Sequence, residues 1–160
     1  NDWKKKGLDQ LLAAIAELRD LPLRLIVAGR DDKSLYEPIL HTLGLQQRVV
    51  FAESSADVLA FYAAADIYVG PSLEDAFGLP IIEAMACGLP VIASQRAGAS
   101  ELIINARTGS SRIRKTPRNL SRSFGTSSLM KSYAQRSARL PRLPWPNTVG
   151  KQMPHSCSLF

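Results

Sequence analysis

Two carboxylates, Asp75 and Glu83, stand with seven residues between them, around the run Gly78-Leu79-Pro80. Each carboxylate accepts hydrogen bonds through two oxygens, so a pair of them suits the vicinal hydroxyls of a ribose or a hexose. Gly78 lets the backbone approach a ligand closely, and the amides of Gly78 and Leu79 at a helix N-terminus suit an anion such as a phosphate. The chemistry on offer is the holding of a hydroxyl-rich or phosphorylated molecule. Spacing alone leaves a plainer reading open. In it Glu83, in the first turn of the helix, complements the helix dipole, worth about 0.3–1 kcal/mol, and Asp75 is a solvated loop acid.

The elements that must position these acids follow from hydrophobic periodicity. Lys6–Arg19 places Leu8, Leu11, Leu12, Ile15 and Leu18 at helical spacing, with Asp9 early and Arg19 late as the helix dipole prefers. Leu23–Ala28, Val49–Phe51, Ile67–Val69 and Val91–Ala93 are short apolar runs that predict buried strands. Helices are predicted over Ser34–Leu43, stopped by Gly44, over Asp57–Ala65 with Asp57 as cap, and over Pro80–Cys87 with Pro80 at its first position. Strand and helix alternate, and the strands do not alternate polar with apolar. That pattern predicts an α/β domain, a Rossmann-like parallel sheet with helices on both faces. Ligands of such sheets bind at the carboxyl ends of the strands, so the loops after Ala28, Phe51, Val69 and Ala93 are expected to converge.

The charge is split. All 14 Asp and Glu lie between Asp2 and Glu101 with nine Lys and Arg, a balance of −5, whereas Leu102–Phe160 holds 11 Lys and Arg and no acid. The net +6 is therefore no description of either part. Residues 1–109 read as the ordered domain. Residues 110–160, rich in Arg, Ser and Pro, read as an irregular basic tail, disordered or in a shifted frame, with one short helix around Ser127–Leu140. Cys87 is expected as a buried, reduced thiol and Cys157 shows no framework spacing with it. No apolar run reaches the roughly 18 residues of a membrane span. His41, on a surface helix, and His155 have no partner pattern, and no metal-ligand cluster is present.

The run Asp75-Ala-Phe-Gly-Leu-Pro-Ile-Ile-Glu83-Ala-Met-Ala-Cys-Gly-Leu-Pro-Val91 resembles the signature of retaining glycosyltransferases of the GT-B fold, the large group-1 (family four) class. That signature is an acid, a small residue, Phe-Gly, four residues, Glu-Ala-Met-Ala, one residue and Gly-x-Pro-Val. The resemblance takes in LIVAG before it, AAADIYVGPS leading in and ASQRAGASELI after it, over about Lys4 to Gly109. It implies an incomplete C-terminal, donor-binding domain. Asp75 and Glu83 would be the catalytic acids, Asp75 facing the donor sugar and Glu83 holding the ribose hydroxyls of the donor nucleotide. The backbone at Phe77, Gly78 and Leu79 would contact sugar hydroxyls or phosphate. Lys6 would neutralise the donor pyrophosphate, whose negative charge grows as the glycosidic bond breaks. Ala97-Gly98 and Glu101 resemble a loop lining the sugar pocket, and Arg96 reads as a solvated loop arginine.

The chain departs from the pattern in places. Asp75 stands where most members carry Glu, Asn1 where an Arg is common, and Glu53 near the usual glycine of the base-binding loop. The opening Asn-Asp-Trp-Lys-Lys-Lys-Gly is similar to that of bacterial lipopolysaccharide-core glucosyltransferases, with Lys4 or Lys5 in place of the Arg. The resemblance further implies a nucleotide-diphosphate sugar as donor and no cofactor or metal. It places an acceptor domain, and the strand that would precede Asn1 in the middle of a 3-2-1-4-5-6 sheet, outside this chain, which on its own is expected to be inactive. Cytoplasmic placement, with peripheral contact at the inner face of a membrane in the full enzyme, is implied as well. Two other functions compete: a nucleic-acid or acidic-surface binding module built on the tail, where ordered aromatics are lacking, and a non-catalytic nucleotide-sugar binder using the same pocket. Nucleic acid is not the expected partner.

Overall fold

A computed structural model describes residues 2–53 and 58–103, and the backbone of 111–113 and 157–159. Helix α1 (Leu8–Glu17) buries Leu8, Leu11, Leu12 and Ile15, the stripe read from the sequence. It ends two residues before Arg19, whose Nε donates to the Ala16 carbonyl at 3.1 Å, so Arg19 serves the helix end from outside it. Strand β1 (Leu23–Gly29) follows. Lys33–Leu35 is a short 3-10 turn capped by Asp32, and α2 (Glu37–Leu43) begins only after it, with Pro38 in its first turn and Gly44 in the left-handed region at φ 68°. The expected helix from Ser34 is thus two elements, and exposed Leu35 lies off the buried face that Leu40 occupies.

Strand β2 (Val49–Glu53), helix α3 (Val58–Ala64), strand β3 (Tyr68–Gly70), helix α4 (Leu79–Ala86) and strand β4 (Val91–Ser94) complete the alternation. Two further strands, β5 (Ser111–Ile113) and β6 (Cys157–Leu159), lie beyond residue 109. Parts of the expected irregular tail are therefore strand, and the sheet runs past the boundary drawn at Gly109. The proposed Asp57 cap, His155 and the short helix around Ser127–Leu140 lie outside the described residues, as do nearly all the tail's basic groups.

Every pairing between described strands is parallel, but the strands form two three-stranded sheets, β2-β1-β6 and β3-β4-β5. β1 pairs with β2 along Leu25–Gly29 on one edge and with β6 along Leu23–Leu25 on the other. The rest of that second edge borders a cavity, across which lies β3. One apolar cluster nevertheless ties the halves together, with Leu12 and Ile15 of α1, Leu25 of β1, Val69 of β3 and Ile92 of β4 buried in it. Among the described residues no helix is long and apolar enough to cross a membrane.

Two anchors fix the chain around this core. Trp3 is buried, stacks on Phe51 at a centroid distance of 5.0 Å and meets Tyr36 edge-on at 5.7 Å. Its indole lies so close to Gly29 that an added Cβ there would stand 2.3 Å from Nε1. Arg48 spreads its guanidinium over the connection between α1 and β1, donating to the carbonyls of Leu18, Leu21 and Leu23 at 3.2, 2.9 and 3.1 Å. The Leu18 and Leu21 carbonyls also accept the N–H groups of Leu21 and Leu23 at 3.2 and 2.8 Å, so the guanidinium occupies their second lone pairs. Arg48→Ala is expected to cost about 1–2 kcal/mol in urea unfolding, the range for part-buried acceptors left without a charged donor; a change below the error of the measurement would show that water replaces the guanidinium.

Candidate functional site

The parallel strands bring the loops after β1, β3 and β4 to one edge, where the segment before α1 joins them. Asp31, after β1, accepts the Trp3 backbone N–H at 2.6 Å. The Lys5 carbonyl accepts the Leu73 N–H, after β3, at 2.8 Å. Asp75 and Ala97 form a parallel bridge between the loops after β3 and β4. The loop after β2 lies outside the described residues.

Asp75 is the organiser of this edge. Its Oδ2 accepts the Lys6 ammonium at 2.6 Å, its Oδ1 accepts the Gly78 N–H at 2.9 Å, and the Phe77 N–H bonds the carboxylate too. Burial pushes the carboxyl pKa up, but the Lys6 bond and charge and the two backbone donors outweigh it and hold the group below the usual carboxylate range. The solvated-acid reading of Asp75 is thereby set aside. Gly78, at φ 81°, takes the left-handed conformation that lets the chain turn into α4. Its amide is engaged by Asp75 and does not point outward to a ligand, contrary to the sequence expectation. Behind this loop the Ala97-Gly98 turn acts as a brace. The Ala99 N–H donates to the Phe77 carbonyl at 2.6 Å, and a Cβ on Gly98 would stand 2.6 Å from the Ala76 carbonyl oxygen.

Glu83 falls at the fifth position of α4, because the helix opens at Leu79 with Pro80 second. It therefore sits in the second turn and not the first, too deep to serve as a complement to the N-terminal dipole. Its Oε2 accepts the hydroxyl of Tyr62, from α3, at 2.8 Å. Among the described residues Oε1 accepts no side-chain hydrogen bond.

Lys6, Asp75 and Glu83 line one cavity of about 310 Å³, the lower end of the size range of small-molecule sites. Its apolar lining comes from Leu25–Ala28 of β1, Tyr68–Gly70 of β3, Leu8 and Leu11 of α1, and Phe61 and Tyr62 of α3. Phe77 and Leu79, expected as ligand contacts, do not line it. They are 60% and 54% exposed. Arg96 is exposed and donates to the Leu73 carbonyl at 3.2 Å, His41 and Glu53 are exposed, and Cys87, expected to be buried, is an exposed free thiol at the end of α4. Among the described residues no three His, Cys, Asp or Glu gather in a way that could hold a metal ion. Sequence reasoning missed Trp3 and Tyr62. For Tyr62 a signal was there, since a large aromatic with a polar tip seeks burial and a hydrogen-bond partner together; Trp3 is buried by ring contacts alone, and its Nε1 has no hydrogen-bond partner among the described residues.

Comparison with known proteins finds relatives over most of this chain. The family model for glycosyl transferases group 1 matches residues 3–130. The lipopolysaccharide glucosyltransferase WaaG of Escherichia coli K12 is 33% identical over 113 residues, covering 68% of this chain and 30% of WaaG. D-inositol 3-phosphate glycosyltransferase of Rhodococcus erythropolis is 39% identical over 119 residues, covering 65% of this chain and 26% of that protein. Among solved structures, HepE of Anabaena in complex with UDP and glucose superposes with a TM-score of 0.65 at 30% identity, over 78% of this chain and 35% of HepE. The chain thus spans under a third of the length of these two curated relatives. With the family model covering most of its length and the α/β architecture matching a solved relative, the chain belongs to the group 1 glycosyl transferases.

Proposed function

We propose that this chain is the donor-binding half of a glycosyltransferase that moves a sugar from a nucleotide-diphosphate sugar to an acceptor with retention of configuration. The observation that carries the reading is the meeting of Lys6, Asp75 and Glu83 in the wall of one cavity at the carboxyl edge of a parallel fold. The UDP and glucose bound by HepE support a uridine nucleotide as the donor's leaving group. In this reading Glu83 takes the ribose hydroxyls, and Asp75 holds in place the loop of Phe77, Gly78 and Leu79 that leads into α4. Asp75 itself acts at the sugar end of the site. As the bond between the anomeric carbon and the phosphate oxygen breaks, the diphosphate gains charge, which the Lys6 ammonium offsets. The acceptor then takes the anomeric carbon and loses its hydroxyl proton. No metal ion or cofactor enters the proposal.

The acceptor and a second domain that holds it lie outside this chain in the same reading, as does action in the cytoplasm at the inner face of a membrane. The lipopolysaccharide in the name of the E. coli relative supports a membrane-held acceptor. Fractionation of cells making the whole protein tests the placement, and recovery solely outside the cytoplasm would overturn it.

Calorimetry with UDP tests the central reading. Binding is expected, and Glu83→Ala is expected to weaken it by about tenfold, the value of a charged hydrogen bond or two to the ribose. A titration of the unaltered protein that stays flat would refute the donor site.

A further inference from the structure

We propose that Tyr62 is a positioning residue for Glu83, fixing one carboxylate oxygen so that the other is presented to the ribose diol. The inference rests on the donor-site reading above and adds a residue to it. Tyr62 is the fifth residue of α3 and is only 2% exposed, with its ring 6.3 Å from that of Tyr68. Among the described residues its hydroxyl has two acceptors in reach, Glu83 Oε2 at 2.8 Å and the Pro80 carbonyl at 3.4 Å, and of these the shorter bond takes the proton.

Three features make this bond more than core packing. It joins α3 to α4 across the cavity wall, so it sets the position of an acid that would otherwise swing on three torsions. Ordering a free Glu side chain costs conformational entropy, and a buried donor that meets this cost before the ligand arrives strengthens binding without touching the ligand. It also engages one oxygen only. Glu83 Oε1 receives no side-chain hydrogen bond among the described residues, and Glu83 lines the cavity. Finally, the donor is permanent. Burial first, then the hydrogen bond and charge of Glu83, push the Tyr62 phenol well above its ordinary pKa, so the hydroxyl keeps its proton wherever the protein is folded.

The test compares UDP with 2′,3′-dideoxy-UDP, which lacks the diol, by calorimetry on the whole chain. Tyr62→Phe is expected to weaken UDP binding about fivefold to tenfold. It should leave dideoxy-UDP within about twofold, and add no further loss for UDP when combined with Glu83→Ala. Equal losses for both ligands would assign Tyr62 to general packing and overturn the inference, as would unchanged UDP affinity. Unaltered protein that binds neither nucleotide overturns the donor-site reading, and this assignment with it. A measurement that needs no variant runs beside these. The Tyr62 hydroxyl proton should be slow to exchange in NMR and should shift on adding UDP but not dideoxy-UDP. Rapid exchange, or identical shifts with both ligands, counts against the proposal.

Discussion

Asp75→Ala is expected to lower the stability of the fold by about 2–3 kcal/mol at neutral pH, and Asp75→Asn by about 1 kcal/mol. The difference comes from what each variant leaves behind. Asparagine keeps an oxygen for the Gly78 N–H that Asp75 Oδ1 now accepts, so the entry into α4 survives; alanine leaves that amide and the Phe77 amide without their acceptor. Both variants lose the ion pair with Lys6, whose side chain is 47% exposed against 14% for Asp75, which keeps the pair near the modest value of surface pairs. The pH dependence follows from the direction of the Asp75 shift. Its carboxyl is held below the usual range in the folded state, so the stability it supplies is complete above about pH 4, the unfolded value. That contribution drains away as pH falls through the lower folded value. Urea unfolding of the unaltered protein and of Asp75→Asn should therefore converge in acid, separate as pH rises toward about 4, and keep a constant difference above it. Parallel curves across that range would mean that the ion pair contributes nothing, and an asparagine variant as damaged as alanine would mean that the pair, not the loop, is what Asp75 supports.

The sequence made the outline of this site legible because its information is local. Continuous apolar runs such as Leu23–Ala28 and Val91–Ala93 mark buried parallel strands, and the observed strands cover the same residues and extend one further. Gly44 and Pro38 act on their own backbone, so they announce the ends of α2 wherever the helix packs. That Asp75 and Glu83 would share a wall followed from their places in one loop and one helix. What stayed hidden depends on partners far along the chain. The Lys6 ammonium on Asp75 spans 69 residues, and the Tyr62 hydroxyl on Glu83 spans 21. No periodicity encodes either. Trp3 reads as one aromatic among lysines until Gly29 and Phe51 close around it. The split into two sheets was likewise hidden. Strand runs fix which residues extend, whereas which edge pairs with which depends on partners far along the chain, and β6 pairs with only the first three residues of β1.

Gly7→Ala is expected to be more damaging than Gly44→Ala, costing about 2–4 kcal/mol. Gly7 caps α1 at φ 80°, a conformation that costs an L-residue about 1 kcal/mol by itself. Space makes it worse. A Cβ there would stand 2.4 Å from the Pro71 carbonyl oxygen, which is backbone at the exit of β3 and has no rotamer to yield with. Gly44→Ala is the natural control, since Gly44 has φ 68° but nothing within 4 Å of the added carbon. It should lose only the conformational part, about 1 kcal/mol. The excess in Gly7→Ala measures the collision. Relief of that collision must push the segment before α1 away from the loop after β3. The bond from the Leu73 N–H to the Lys5 carbonyl would lengthen, and the Lys6 ammonium would be drawn off Asp75. A ligand that depends on Lys6 through its phosphates should then suffer while one without phosphates should not. UDP affinity is expected to fall about tenfold in Gly7→Ala, with uridine affinity unchanged and Gly44→Ala neutral toward both. Equal destabilisation by the two substitutions would show that the Pro71 carbonyl moves aside freely, and equal losses of UDP and uridine would separate Lys6 from the diphosphate altogether.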